Sequence, residues 1–265
     1  MIRAADTTMK GIDIRRTIIF VLGTYIISTL FSLPLILGSI RSGATYYFLV
    51  GLANFGPFFS AAGVTLYFEG IHGIKALFRR LVMWKFSIYL YLIIILLTPV
   101  LMISSIFLDT IFIGSFTGAW ITIPATLLTV IVAPLGEEIG WRGFFTSKLI
   151  TYLSPITLSV LLGIIWAGWH LWLFLLPGQF AIHLPFHLFL LSAIADTLWY
   201  TWFFMMGRGS AFTGLLFHTS YNFSYRCINL MNGSYLNTYI IMVIIELIGG
   251  IVVCFYANKK RNIRR

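Results

Sequence analysis

Two adjacent acids, Glu137 and Glu138, sit in an apolar stretch that also holds an arginine, Arg142. Other polar residues in apolar surroundings are His170, Asp196, His218, Asn222, Arg226 and Glu246. An ionisable group at bilayer depth is expensive, so each is a functional candidate by default. Spacing sorts them. Glu138 and Arg142 stand i,i+4 with the acid first, the favourable order for an ion pair. Trp166 and His170 are also i,i+4, and His218 and Asn222 share one face of a third helix at the same spacing. Amide hydrolysis needs a water made nucleophilic and a stabilised tetrahedral oxyanion. A carboxylate can take the proton of that water, and a His and an Asn on one helix face can donate to the oxyanion. Plainer roles exist for each residue alone: a packing ion pair for Glu138 and Arg142, and interhelical hydrogen bonds for His170 and Asn222. Glu137 has no counter-charge on its own helix, and four polar groups converge at compatible depth, which favours chemistry. Asp196 and Glu246 lack motif context and read as structural or supporting groups. His183 and His187 read as interfacial, and Gly136 and Gly140 form a GxxxG step for close helix packing.

The elements that position these residues are membrane helices. Of 265 residues 59% are hydrophobic and 10% charged, against about a quarter charged in soluble domains. The chain reads as an all-α, polytopic membrane helix bundle of about eight transmembrane helices. The spans fall at roughly 17–38, 44–68, 86–107, 120–152, 155–176, 184–206, 211–231 and 237–257. Residues 1–16 and 258–265 form short basic tails around a single bundle, 17–257. The first apolar run is too long for a signal h-region and lacks a cleavage site. Cys227 and Cys254 read as small packing residues.

Fifteen of the eighteen lysines and arginines fall at one set of segment ends. They are Arg3, Lys10, Arg15 and Arg16; Lys75, Arg79, Arg80 and Lys85; Lys148; Arg208; and the basic residues from Lys259 to Arg265. The opposite ends receive Arg41. An even number of spans with both termini cytoplasmic explains this. The net charge of +10 thus reads as anchoring to anionic headgroups, with no nucleic-acid partner. Spans four and five turn near Ser154. Glu137 lies seventeen residues before it and His170 sixteen after, so the two reach similar depth in an antiparallel pair. His218 and Asn222 lie nine to thirteen residues beyond the turn near Gly209.

The stretches "EEIGWR" at 137–142, "WAGWH" at 166–170 and "HTSYN" at 218–222 resemble the three motifs of the CAAX protease and bacteriocin-processing family. That family includes the type II CAAX prenyl endopeptidases. One position departs: Trp166 stands where the pattern has Phe. The resemblance covers about 120–228 and implies an intramembrane endopeptidase with its catalytic core there. Glu137 would be the general base with His170 assisting, His218 and Asn222 would stabilise the oxyanion, and Glu138 and Arg142 would hold the site together, with Trp166 in support. The same residues offer a zinc set of Glu137, His170 and His218. The chain has no HExxH, and with zinc on Glu137 the base role would fall to Glu138, which Arg142 occupies. A metal-free, glutamate-dependent reaction is therefore expected, with no cofactor. The expected partners are the lipid bilayer and a peptide or protein substrate, lipidated or not, cut at or within the cytoplasmic leaflet of a bacterial plasma membrane. The alternative is a non-catalytic bacteriocin-immunity or export-scaffold protein of the same fold. A proton-relay transporter is a third reading, disfavoured because no internal repeat is visible.

Overall fold

The computed structural model describes residues 2–114, 119–120, 127–176, 184–229 and 235–263. It is a helical bundle. Helix α1 is Ile2–Ile36, α2 Gly43–Asn54, α3 Gly56–Arg79 and α4 Ile88–Phe112. Helix α5, Leu127–Glu138, runs directly into a π-helical segment, Ile139–Thr146, and a last turn, α6, Ser147–Leu149. Helix α7, Pro155–Trp169, is followed by the short α8, Leu171–Phe174. Helices α9 Phe186–Met206, α10 Ala211–Cys227 and α11 Tyr235–Ile263 complete the bundle. Two-residue strands, β1 Ala119–Trp120 and β2 Ile228–Asn229, pair antiparallel and join the approach to α5 to the end of α10.

Among the described residues five helices are long and apolar enough to cross a membrane, and a sixth span arises if α2 and α3 count as one. The expected single span 44–68 is in fact this pair, bent by 48°. The bend falls at Phe55 and Gly56, where Gly56 packs on Ser28 and Pro57 sits in the first turn of α3. The expected spans 120–152 and 211–231 are both trimmed by the strand pair, and the first is interrupted by the π segment. Helix α4 runs beyond its expected end and takes in Asp109, which is fully buried and accepts a hydrogen bond from Thr238 of α11. That makes Asp109 a further intramembrane acid, missed because the apolar run thins before it.

Small and polar residues bring the helices together, as they must where lipid competes with side-chain burial. On α7, Ser159 bonds the Thr201 hydroxyl at 2.8 Å, while Thr197 donates back to the Ser159 carbonyl at 2.7 Å. Ser60 donates to the Phe20 carbonyl and Tyr25 to the Ile165 carbonyl, each at 2.7 Å, tying α1 to α3 and α7. The GxxxG step does the same for α5. A Cβ on Gly140 would lie 2.7 Å from the Pro57 carbonyl oxygen, and one on Gly136 would lie 2.8 Å from the Phe55 ring.

The basic residues gather at one end of the bundle. Glu69 of α3 accepts from Lys148 at 2.6 Å and from Arg16 at 3.2 Å, and Tyr152 donates to Asp13 at 2.9 Å. Arg261, near the end of α11, caps the Ile150 and Leu153 carbonyls at 2.6 and 3.1 Å. Arg80 donates to the carbonyl of Gly209 at 3.0 Å. Gly209 has φ +86° and closes the tight α9–α10 turn, a conformation glycine adopts without steric cost.

Candidate active site

The acid pair sits where α5 passes into the π segment. Successive residues on a helix point about 100° apart, so Glu137 and Glu138 address different neighbours. Glu138 is fully buried and is the hub of a charged cluster. Its Oε1 accepts from Arg142 Nη1 at 2.7 Å and lies 3.0 Å from His218 Nδ1 on α10. The Arg142 guanidinium rests 3.3 Å from the ring centroid of Tyr200 and 5.5 Å from that of Trp166. A π-helical turn next to such a group is a recurrent feature of functional helices.

Glu137 turns instead to α7. Trp166 Nε1 donates to its Oε2 at 2.8 Å, and Oε1 has no hydrogen-bond partner among the described residues. Helix α7 starts cleanly, with Ser154 accepting from the Thr157 amide and Pro155 at the first position, both favoured at helix starts. It ends at His170, whose amide is shared between the Trp166 and Ala167 carbonyls. The end of the helix frees that region for a ring contact: His170 Nδ1 lies 2.8 Å from the Trp166 carbonyl oxygen. A carbonyl only accepts, so Nδ1 carries the proton, and Nε2 of the neutral ring is the acceptor. For His218 the carboxylate of Glu138 likewise assigns the proton to Nδ1.

Trp166, His170, His218 and Asn222 line one cavity of about 390 Å³. Trp166 is its centre of contact: its ring meets those of His170 at 4.8 Å and His218 at 5.9 Å, both edge to face. Asn222 lies one turn beyond His218 and is half-buried. Glu137 is 4% exposed and is joined to this lining by the hydrogen bond from Trp166.

Sequence reasoning missed two contributors, Tyr200 and Gly214. Tyr200 is the platform for Arg142; it lies on α9, with nothing in its spacing to mark it. Gly214 lets α10 approach the cluster, since a Cβ there would meet Glu138 Oε2 and lie 3.3 Å from Arg142 Cγ. Its place four residues before His218, on the same face, was the available signal. Asp196, read from the sequence as a supporting group, lines the cavity, with the carboxyl of Glu246 on α11 beside it. Of the two interfacial histidines, His187 is exposed on α9, and His183 lies outside the described residues.

Of the alternative zinc ligands, Glu137 Oε2 accepts from Trp166 and His218 Nδ1 lies on Glu138. Among the described residues no three His, Cys, Asp or Glu side chains form a group that could hold a metal ion.

Residues 118–224 match the family model described as type II CAAX prenyl endopeptidase Rce1-like. A curated relative, CAAX prenyl protease 2 of Methanococcus maripaludis, is 28% identical over 141 residues, covering 48% of this chain and 52% of that protein. The chain thus matches about half the length of that relative. The matched segment contains Glu137, Glu138, Arg142, Trp166, His170, His218 and Asn222, and over it this membrane protein is similar to the type II CAAX prenyl endopeptidases.

Proposed function

We propose that the chain is an intramembrane endopeptidase that activates water with Glu137 and His170, without a metal. The observation that carries this reading is the cavity itself. It is bounded by His170, His218 and Asn222, and its wall residue Trp166 holds the carboxylate of Glu137 by one oxygen. The indole orients Oε2 and leaves Oε1 to receive a proton. Water loses that proton to Glu137 as its oxygen bonds the scissile carbonyl carbon. His170 Nε2, unprotonated in the neutral ring, accepts a hydrogen bond from the same water and orients it. The carbonyl oxygen becomes an oxyanion, to which the Asn222 amide donates. His218 donates through Nε2 when its ring is charged, with Glu138 balancing that charge. Collapse of the intermediate breaks the C–N bond, and the proton held by Glu137 leaves with the amine. Arg142 and Tyr200 fix the carboxylate that fixes His218.

The substrate is a peptide or protein, and the membrane is the plasma membrane. The test is a proteomic comparison of membranes carrying wild-type protein or Glu137→Gln. A product present only with wild-type, and lost with His170→Ala, is the expected result. Retained cleavage in either variant removes the assigned role. Metal analysis of purified protein and cleavage after chelation test the rest: the expected outcome is chelator-resistant cleavage, and stoichiometric zinc with chelator-sensitive cleavage overturns the metal-free mechanism.

A further inference from the structure

Helix α1 is tied to α7 by the Tyr25 hydroxyl, which donates to the Ile165 carbonyl at 2.7 Å. Between that bond and the basic end of the bundle, the two helices enclose a groove of about 360 Å³. Ile18, Val21 and Leu22 line it from α1, and Leu161 and Ile165 from α7. Phe145 and Leu149, 1% and 6% exposed, form its floor. The groove shares no residue with the catalytic cavity: Ile165 faces the groove, and its neighbour Trp166 faces the cavity from another side of α7.

The lining is apolar. Its two hydroxyls are turned into the protein, Thr17 donating to the Asp13 carbonyl at 2.7 Å and Tyr152 to the Asp13 carboxylate at 2.9 Å. The rim is open sideways, with Ile18, Leu22 and Leu161 40% or more exposed, so a hydrocarbon chain enters from the bilayer without crossing polar surface. Along α1 the groove runs from Ile14 to Leu22, about 12 Å at 1.5 Å per residue. Its volume takes about a dozen groups of roughly 30 Å³, the share of a water in the liquid and close to that of a methylene. That is the length and bulk of one lipid chain.

The mouth, at Ile14 and at Leu153 in the α6–α7 turn, is charged. The acids there already have partners: Glu69 accepts from Lys148 and Arg16, and Asp13 accepts from Tyr152 and lies 3.7 Å from Lys148. Arg15 is exposed and makes no hydrogen bond or ion pair among the described residues. It stands three and seven residues before Ile18 and Leu22, on the groove face of α1. Arg261 brings a second guanidinium to the Leu153 carbonyl at 3.1 Å. Basic pockets between membrane helices recognise anionic headgroups.

We propose that this groove is a binding site for an anionic phospholipid of the leaflet at the basic end. One acyl chain lies between α1 and α7, and the phosphate-bearing headgroup rests on Arg15 with Arg261 adding charge at the mouth. A zwitterionic lipid fills the groove with the same chain and leaves Arg15 unmatched. The lipid supports α7 from behind, on a side away from Trp166 and His170. The site stands independently of the peptidase reading.

The full chain is reconstituted in phosphatidylcholine or in phosphatidylglycerol vesicles, each with a trace of phosphatidylglycerol carrying a diazirine on one acyl chain. After illumination, adducts are mapped by peptide mass spectrometry. In phosphatidylcholine, adducts on the groove residues of α1 and α7 are expected to exceed those on Val100 and Ile103, which are 54% and 50% exposed on α4 and report ordinary lipid-facing surface. In phosphatidylglycerol the groove adducts are expected to fall about fivefold, the factor that one basic contact supplies, with those on α4 unchanged. Arg15→Gln is expected to remove that difference and Val21→Trp to remove the groove adducts. Equal adducts on groove and α4, equal groove adducts in the two matrices, or a difference that survives Arg15→Gln overturns the proposal. So does displacement of the groove adducts by a prenylated peptide that leaves the α4 adducts in place, which assigns the groove to another occupant. Arg15→Gln leaves every described contact intact, so its result decides even where Val21→Trp misfolds.

Discussion

Neutralising one or the other of the adjacent acids separates their duties. Glu138→Gln keeps the shape of the side chain and removes its charge. The Arg142 guanidinium, 1% exposed, then loses the carboxylate it is hydrogen-bonded to, and the His218 contact at 3.0 Å loses its ionic part. Removing one partner of a buried pair costs about 3–5 kcal/mol. The lower part of that range applies, because the Gln amide oxygen still accepts from Nη1. The stack of Arg142 on Tyr200 exists in both proteins and offsets nothing. Glu137→Gln keeps an acceptor for the Trp166 indole, so its change in stability stays within about 1 kcal/mol. The two variants should thus differ by about 2 kcal/mol or more in stability, while Glu137→Gln alone abolishes cleavage with the fold intact.

The assay is thermal unfolding in detergent, read by a thiol-reactive fluorogenic dye in a Cys227→Ala background. Cys254 is fully buried on α11 and reacts once that helix leaves the bundle. Glu138→Gln should unfold well below wild type and Glu137→Gln close to it. Replacing Arg142 together with Glu138 by apolar residues should recover part of the loss, since the uncompensated charge goes with it. Equal midpoints for wild type and Glu138→Gln would refute the reasoning, as would a Glu137→Gln protein as unstable as Glu138→Gln.

Trp166→Phe removes the indole donor and keeps a ring against His170. A hydrogen bond to a charged group is worth about 1.5–3 kcal/mol, so cleavage should slow about 10- to 100-fold with little change in folding, and unchanged cleavage would deny the indole an orienting role. Gly214→Ala forces a methyl onto the Glu138 carboxylate and should cost about 1–3 kcal/mol in the same unfolding assay. Gly140→Ala should cost more, because its obstacle is the Pro57 backbone at 2.7 Å and not a movable side chain. If Gly140→Ala is tolerated as well as a substitution at Gly11, which has nothing within 4 Å, then close approach of α3 to the π segment is not a requirement of the fold.

What could be read from the sequence is what depends on one helix at a time. Three i,i+4 pairs, Glu138 with Arg142, Trp166 with His170 and His218 with Asn222, follow from rotation of about 100° per residue, and none needs knowledge of a neighbour. Apolar runs located most helices, and the lysines and arginines located the common end that Glu69, Asp13 and the carbonyls of the α6–α7 turn then knit together. The sequence is silent where two helices must be set against each other. The π segment changes the angular register after Glu138, so no helical wheel drawn through Arg142 gives its platform, Tyr200. The bend at Phe55 and Gly56 depends on Ser28 of another helix, and Asp109 hides beyond an apolar run. The direction of the cavity is of the same kind. Depth counting placed Glu137, His170 and His218 at similar height, which is a statement about levels along the membrane normal. Which side of that level is filled depends on the size of residues that no motif includes. Trp141, Phe144, Phe145, Phe203 and Phe217 fill one half, and residues of α7, α9 and α10 line the cavity in the other. A motif-based reading carries over the chemistry of a site; the shape of the space around it must be read from the packing around the motif.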